Sequence, residues 1–263
     1  MLFRKRTAVA LIALVFLCLA GCDDTGSDAE DGGPDTDTDT DTDTDTDTDT
    51  DTDTENILIT ISGVFSDMTG EAQTGCEICF EDGLGDQVCD TTGDEGEYEL
   101  VDVPADEPGY YVMEIGSYRA RSWATSPKED STMYFGEYSE EQYGEMTGSA
   151  PVVIDSAKGT IGVNVVSDGG MSFAAGAQFT VSPSSGDGPY YTAEDTAMEI
   201  DATASALTNS GLGFVFNVEP GEYTVEATFP GQTCVPWEGE SPAVPEIEAD
   251  TTTYVIFMCS EES

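Results

Sequence analysis

The sequence predicts an all-β protein, two small antiparallel β-sandwiches in tandem behind a disordered acidic linker. Three observations carry this. Short runs rich in β-branched and aromatic residues alternate with Gly, Asp, Pro and Ser from Asn56 onward. Helical periodicity is almost absent. The runs fall into two sets of about seven, each spread over about 100 residues, which suits two small sandwiches better than one large domain. The expected organisation is a signal segment at 1–21, a tether at 22–55, one sandwich at 56–157 and a second at 158–263, with the boundary near Ser156 to Lys158.

The N-terminus begins with Arg4, Lys5 and Arg6, continues through the apolar run AVALIALVFLCLA, and ends at Gly21 and Cys22. A positive region followed by a short apolar stretch is the pattern of a secretory signal and is too short for a lasting transmembrane helix. Leu19-Ala20-Gly21-Cys22 resembles the lipobox of bacterial lipoprotein signals, in which the cysteine is lipidated and becomes the first residue of the mature chain. The resemblance implies lipidation of Cys22 and a membrane partner reached through the N-terminal lipid. The alternative is an ordinary signal cleaved at small residues, with Cys22 an incidental thiol. Asp23 resembles the inner-membrane retention signal of enteric bacteria. In other envelopes the expected location is the outer membrane, facing the periplasm or the surface.

Ten Asp-Thr pairs follow Pro34, from Asp35 to Thr54. No aromatic residue and no aliphatic larger than Ala lies between Cys22 and Glu55, so this stretch cannot bury enough apolar surface to offset the entropy of ordering. Charges on alternate residues favour extension, to at most about 110 Å at roughly 3.3 to 3.6 Å per residue. Alternation could suggest a strand, but one with Asp at every second position has no face to bury. Specific calcium binding is disfavoured because the repeat lacks the Gly at a sharp turn that EF-hand-type loops use.

The chain has 54 acids against 7 bases and a net charge of -47. Residues 56–263 alone hold 38 acids against Arg119, Arg121, Lys128 and Lys158, a net of -34. Such a field repels nucleic acid and anionic lipid surfaces. With no His in the chain, Ser-His and Cys-His catalysis and His-based metal sites are excluded. Carboxylate pairs for a hydrolase can be drawn at will from so many acids and so carry no information. The expectation is a protein that is not an enzyme and has no cofactor or metal.

Strands are predicted at ILITI (57–61), with Ile57, Ile59 and Ile61 on one face, and at TIGVNVV (160–166), with Ile161, Val163 and Val165 together. Others in the first half are CEICF (76–80), DQVCD (86–90), EYELV (97–101), YYVMEI (110–115) and PVVID (151–155). In the second half they are AQFTV (177–181), PYYTA (189–193), FVFNV (214–218), EYTVEATF (222–229) and TYVIFMC (253–259). SEEQY (139–143) is the one predicted helical turn, with Ser139 and Gln142 spaced as a capping box.

Ser62 to Asp67, Thr69-Gly70-Glu71 and Gly75, then Thr92 to Leu100 and Val103-Pro104-Ala105, resemble the opening and the Thr-Asp-x-x-Gly-x-Tyr-x-Leu turn of carboxypeptidase regulatory-like domains. Gly93 stands where that pattern has Asp, and Asp106 where it has Gly. Gly213 to Val225 resembles a diverged second copy. The resemblance implies prealbumin-like or immunoglobulin-like sandwiches and says little about activity, since its motifs are structural.

Of the remaining cysteines, Cys79 and Cys89 flank the hairpin FEDGLGDQV and are expected to bridge, with Cys76 to Cys89 as the alternative; Cys234 and Cys259 are expected to form a second bridge. Cys76 shares a face with Ile78 and Phe80 and reads as a small buried hydrophobe. Redox chemistry at Cys76-x-x-Cys79 is disfavoured because the motif sits in a strand rather than at a helix N-terminus. The segment 122–149, taken as a long insertion outside any strand pattern, collects Trp123, Tyr134, Phe135, Tyr138 and Tyr143. Exposed, these rings would suit a glycan or an envelope protein; the favoured reading is that they cover the sandwich edge. GDGPYYT (186–192) has the same ambiguity.

Overall fold

A computed structural model describes residues 57–167, 172–237 and 245–261. The signal segment 1–21, Cys22 and the tether lie outside the described residues. The first half runs β1 (Leu58–Asp67), β2 (Glu77–Asp82), β3 (Gln87–Thr91), β4 (Glu97–Pro104), β5 (Pro108–Ile115), β6 (Tyr118–Thr125), β7 (Ser131–Glu137) and α1 (Glu140–Ser149). The second runs β8 (Gly159–Ser167), β9 (Ser172–Phe173), β10 (Gln178–Ser182), β11 (Asp187–Ala193), β12 (Thr196–Asp201), β13 (Leu212–Val218), β14 (Gly221–Glu222), β15 (Thr224–Thr228), β16 (Gln232–Pro236), β17 (Glu246–Ile247) and β18 (Thr252–Glu261).

One sheet passes through both halves, in the order β12-β11-β13-β8-β18-β6-β5-β2-β3. Strand β18 is its seam. One edge of β18 pairs in parallel with β8 from Thr252 to Met258. The other pairs in parallel with β6 at Thr252 to Tyr254 and then antiparallel with β16 from Phe257 to Glu261. The halves are sandwiches, and they share this strand.

Each half has its own core, and both cores include residues from β13, whose alternate side chains point to opposite faces. Phe214 and Phe216 join Ile61, Phe65, Ile78, Phe80 and Leu100 under the three-stranded sheet β4-β1-β7 and α1. Val215 joins Ile161, Val163, Val165, Phe179 and Phe257 on the other core. The period-two reading of 160–166 therefore identifies a buried face correctly. In β1, Ile59 and Ile61 are buried, whereas Ile57 precedes the strand and is 65% exposed.

Several expected details change. PVVID (151–155) is an irregular connection, with Val153 exposed, because it spans from α1 to β8 without a pairing partner. Segment 122–149 is no loop: it holds the end of β6, all of β7 and α1. Strands β1 and β7 pair in parallel, so the sheets are not wholly antiparallel. Ser139 caps α1 with the reciprocal Gln142 contacts of a capping box. Gly96 has φ of 76°, and a Cβ there would run into the Phe65 carbonyl oxygen, so this turn requires Gly.

Cys79 and Cys89 face each other across β2 and β3 and are bonded, as are Cys234 and Cys259 across β16 and β18. Cys76 is a buried free thiol. Closing loops of 10 and 25 residues stabilises by roughly 2.5 and 3.5 kcal/mol in the chain-entropy model.

A shared strand should make unfolding a single event. Trp123 reports on β6, and Trp237 donates its backbone N–H to Ile256 of β18 at 2.8 Å. Single-tryptophan variants Trp123→Phe and Trp237→Phe are expected to give coincident urea midpoints by fluorescence; two separated transitions would show that the halves unfold independently.

Candidate functional site

The densest polar chemistry lies at the seam. Met133, Phe135 and Glu137 occupy successive inward positions of β7, so strand periodicity drives a carboxylate into the interior, where it is 5% exposed. Its Oε1 accepts from the Tyr138 amide at 2.8 Å, from the Tyr254 hydroxyl at 2.9 Å and from the Tyr118 hydroxyl at 3.1 Å. Tyr118 comes from β6 and Tyr254 from β18, so one carboxylate gathers groups from both halves. Gly162 on β8 makes room for this: a Cβ there would sit 2.5 Å from the Tyr254 ring. Tyr143 of α1 stacks on Tyr118, with centroids 4.0 Å apart.

A second knot holds the opposite face of β6. Arg121 is 1% exposed; it donates to Glu248 Oε1 at 2.5 Å, to Thr253 Oγ1 at 3.2 Å and to the Glu246 carbonyl, and lies 4.3 Å over the Tyr110 ring. Arg119 takes the other Glu248 oxygen at 2.6 Å. Two of the four bases of the folded part thus meet on one carboxylate across the seam, and Arg119 also pairs with Glu114 at 3.1 Å.

Beside Glu137 is a partly open cavity of about 100 Å³. Its walls include Met68, Phe135, Tyr138, Tyr254 and Asn164, and half-exposed Tyr134 lines it. Asn164 Oδ1 is buried and has no hydrogen-bond partner among the described residues. A larger groove of about 470 Å³ lies between β10 and β11, lined by Ser184, Ser185, Gly186 and Tyr191, with no ionisable carboxylate or base on its walls.

The five aromatic residues singled out in the sequence do not form an exposed platform. Phe135 packs on Tyr98 and Tyr111 inside the first core, and Tyr138 is fully buried, donating to the Ala197 carbonyl at 2.6 Å. Tyr143 is half-buried on Tyr118, and Trp123 meets Tyr110 edge-on at 4.8 Å. Tyr134 alone of the five is more than half exposed. The physical reason is that β7 and α1 are packed elements, so their alternate rings fill the core. In 186–192, Tyr190 stacks on Phe216 and Tyr191 is buried against Phe179. Glu77, Cys79 and Cys89 lie close together, but both sulfurs are in a disulfide and offer no thiolate to a metal. The sequence reading missed Glu137, Arg121 and Asn164; the alternation Met133-x-Phe135-x-Glu137 was the available signal for the first.

No protein-family model and no curated protein matches the chain. Solved structures that resemble it include GBS52, the minor pilin of Streptococcus agalactiae, at 14% identity and TM-score 0.27, over 78% of this chain and 97% of that one. BcpA, the major pilin subunit of Bacillus cereus, aligns at 8% identity and TM-score 0.24, over 78% of this chain and all of its own. The Bacillus anthracis TIE protein aligns at 17% identity and TM-score 0.24; 78% of this chain matches about a third, 34%, of its length.

Burial pushes the Glu137 carboxyl up to about 7, while the Tyr138 amide and the two tyrosine hydroxyls pull it partly back. Below the ordinary carboxylate value of 4.5 the group is protonated folded or unfolded, and its contribution to stability is complete. As pH rises the unfolded chain ionises first, so stability is lost, and the loss levels off above about 7. The amount is roughly 3 kcal/mol. Between about pH 4 and pH 8, urea denaturation of Glu137→Gln is therefore expected to gain roughly that much relative to wild type. A pH-independent difference would show that Glu137 does not titrate abnormally.

Proposed function

We propose that the chain is a non-enzymatic, exported lipoprotein of the bacterial cell envelope, anchored through Cys22. It holds its two sandwich halves, 56–157 and 158–263, as one body away from a membrane on the anionic spacer, for binding or structural interaction. The observation that carries this reading is where the spacer joins the fold. Thr54 ends the repeat, and β1 begins at Leu58. That strand is central in its sheet, hydrogen-bonded to β4 on one side and β7 on the other, with Ile59 and Ile61 in the core. Tension arriving through the spacer is thus resisted by two ladders of hydrogen bonds, and the adjoining body is braced by a shared strand and two disulfides.

The two disulfides also favour an oxidising location outside the cytoplasm. No helix of the described residues is long and apolar enough to cross a membrane.

Expressed in a bacterial host, wild type is expected to sediment with membranes and to incorporate labelled fatty acid, whereas Cys22→Ala is released unlabelled. Membrane association of Cys22→Ala would overturn the anchor. Deleting eight of the ten Asp-Thr pairs is expected to leave the melting temperature unchanged and to reduce protease access to the sandwiches on intact cells. A shifted melting temperature would show that the repeat takes part in the fold.

A further inference from the structure

Glu137 poses a problem that its three hydrogen bonds do not solve. Buried carboxylates are ordinarily paired with a cation, because an isolated charge in a low-dielectric interior is costly. Among the described residues no Lys or Arg forms an ion pair with Glu137: the four ion-pairing bases, Arg119, Arg121, Lys128 and Lys158, face Glu114, Glu248, Asp106 and Glu219 instead. All three of its donors converge on Oε1. The cavity that Glu137 lines also holds a buried, unpartnered acceptor, Asn164 Oδ1, and otherwise mostly aromatic and aliphatic walls. Two acceptors, no base and several aromatic walls describe the complement of a small cation that can donate hydrogen bonds.

We infer that this cavity is a binding site for a short-chain primary alkylammonium ion, its charge set against the Glu137 carboxylate, one N–H donated to Asn164 Oδ1 and its alkyl chain against Met68, Phe135 and Tyr138. The size fits: an apolar cavity of roughly 150 Å³ holds benzene, so one of about 100 Å³ accepts about four or five heavy atoms. Access is by way of Tyr134, which is 52% exposed. The folded part's charge of -34 raises the local concentration of any small cation. A metal ion is a poorer match, since hard cations need six or more oxygen ligands and these walls are largely apolar.

The titratable groups facing the carboxylate are Tyr118 of β6, Tyr254 of β18 and Tyr138 between β7 and α1, with Tyr143 of α1 stacked on Tyr118 behind them. Burial lifts Tyr118, Tyr138 and Tyr254 well above the ordinary phenol range, so they stay neutral while Glu137 titrates. The ligand stays protonated across the same range. Only the ionised carboxylate attracts it, and with that carboxyl near 7 the affinity rises by about tenfold from pH 6 to pH 8.

Titration calorimetry of the purified chain with n-propylammonium, 1-propanol and tetramethylammonium tests the site. n-Propylammonium is expected to bind at least about tenfold more tightly than either control, more tightly at pH 8 than at pH 6, and about tenfold more weakly to Glu137→Gln. Asn164→Leu, which leaves the carboxylate in place, is expected to weaken propylammonium and to leave tetramethylammonium unchanged. Either variant alone suffices if the other fails to fold. No binding of n-propylammonium would mean that the cavity holds only water and would overturn the inference. So would equal binding of 1-propanol, which removes the role of charge, or equal binding of tetramethylammonium, which removes the role of the N–H donor.

Discussion

The double pairing of β18 is the constraint on which the rest of the structure depends. A backbone strand in a sheet interior must satisfy N–H and C=O groups along both edges. For Thr252 to Tyr254 one edge is filled by β8 of the second half and the other by β6 of the first. Neither half can leave without exposing polar groups that the other now satisfies. Where β6 ends, β16 takes over the same edge, and the bond between Cys234 and Cys259 pins that exchange. The last strand of the sequence thereby closes both halves, giving the domain pair a higher contact order than two independent sandwiches would have.

Polar chemistry at the seam reinforces this arrangement in a directional way. Apolar packing alone tolerates sliding between two sheets, whereas a buried polar group is satisfied in one register and costly in others. Arg121 reaches Thr253, Glu248 and the Glu246 carbonyl together, which fixes β6 against the segment entering β18. Tyr118 and Tyr254, on the same two strands, meet on Glu137 from the opposite face. The parallel pairing at Thr252 to Tyr254 is only three residues long, so these side-chain contacts supply much of its specificity.

The sequence was legible where periodicity and burial agree. Ile161, Val163 and Val165, the hairpin around Cys79 and Cys89, and the Ser139 cap all follow from local pattern. It misled where polar residues fill inward positions. Arg121 interrupts the apolar pattern of β6, and Glu137 ends that of β7, so a segment made of the end of β6, all of β7 and α1 read as an insertion, although its rings were rightly expected to pack on the sandwich. PVVID erred the other way: this apolar run pairs with no strand, and the Asn217 side chain takes up its Val153 carbonyl and Asp155 amide instead. The seam itself was illegible, because parallel pairing between residues more than 100 apart leaves no mark on local sequence.

Charge allocation connects the seam to the site. The folded part has four bases for 38 acids, so most carboxylates are neutralised only by solvent ions at the surface. Lys128 and Lys158 are tied to Asp106 and Glu219 near the exterior, where screening leaves such pairs little energy. Both arginines are spent on Glu248, Arg119 also on Glu114, on the face of β6 away from Glu137. The one carboxylate placed against the cavity inside the seam is therefore left to hydroxyl and amide donors. Those donors soften its desolvation without supplying a counter-charge, and an interior acid that keeps a cavity beside it retains both the demand for a cation and the space to admit one.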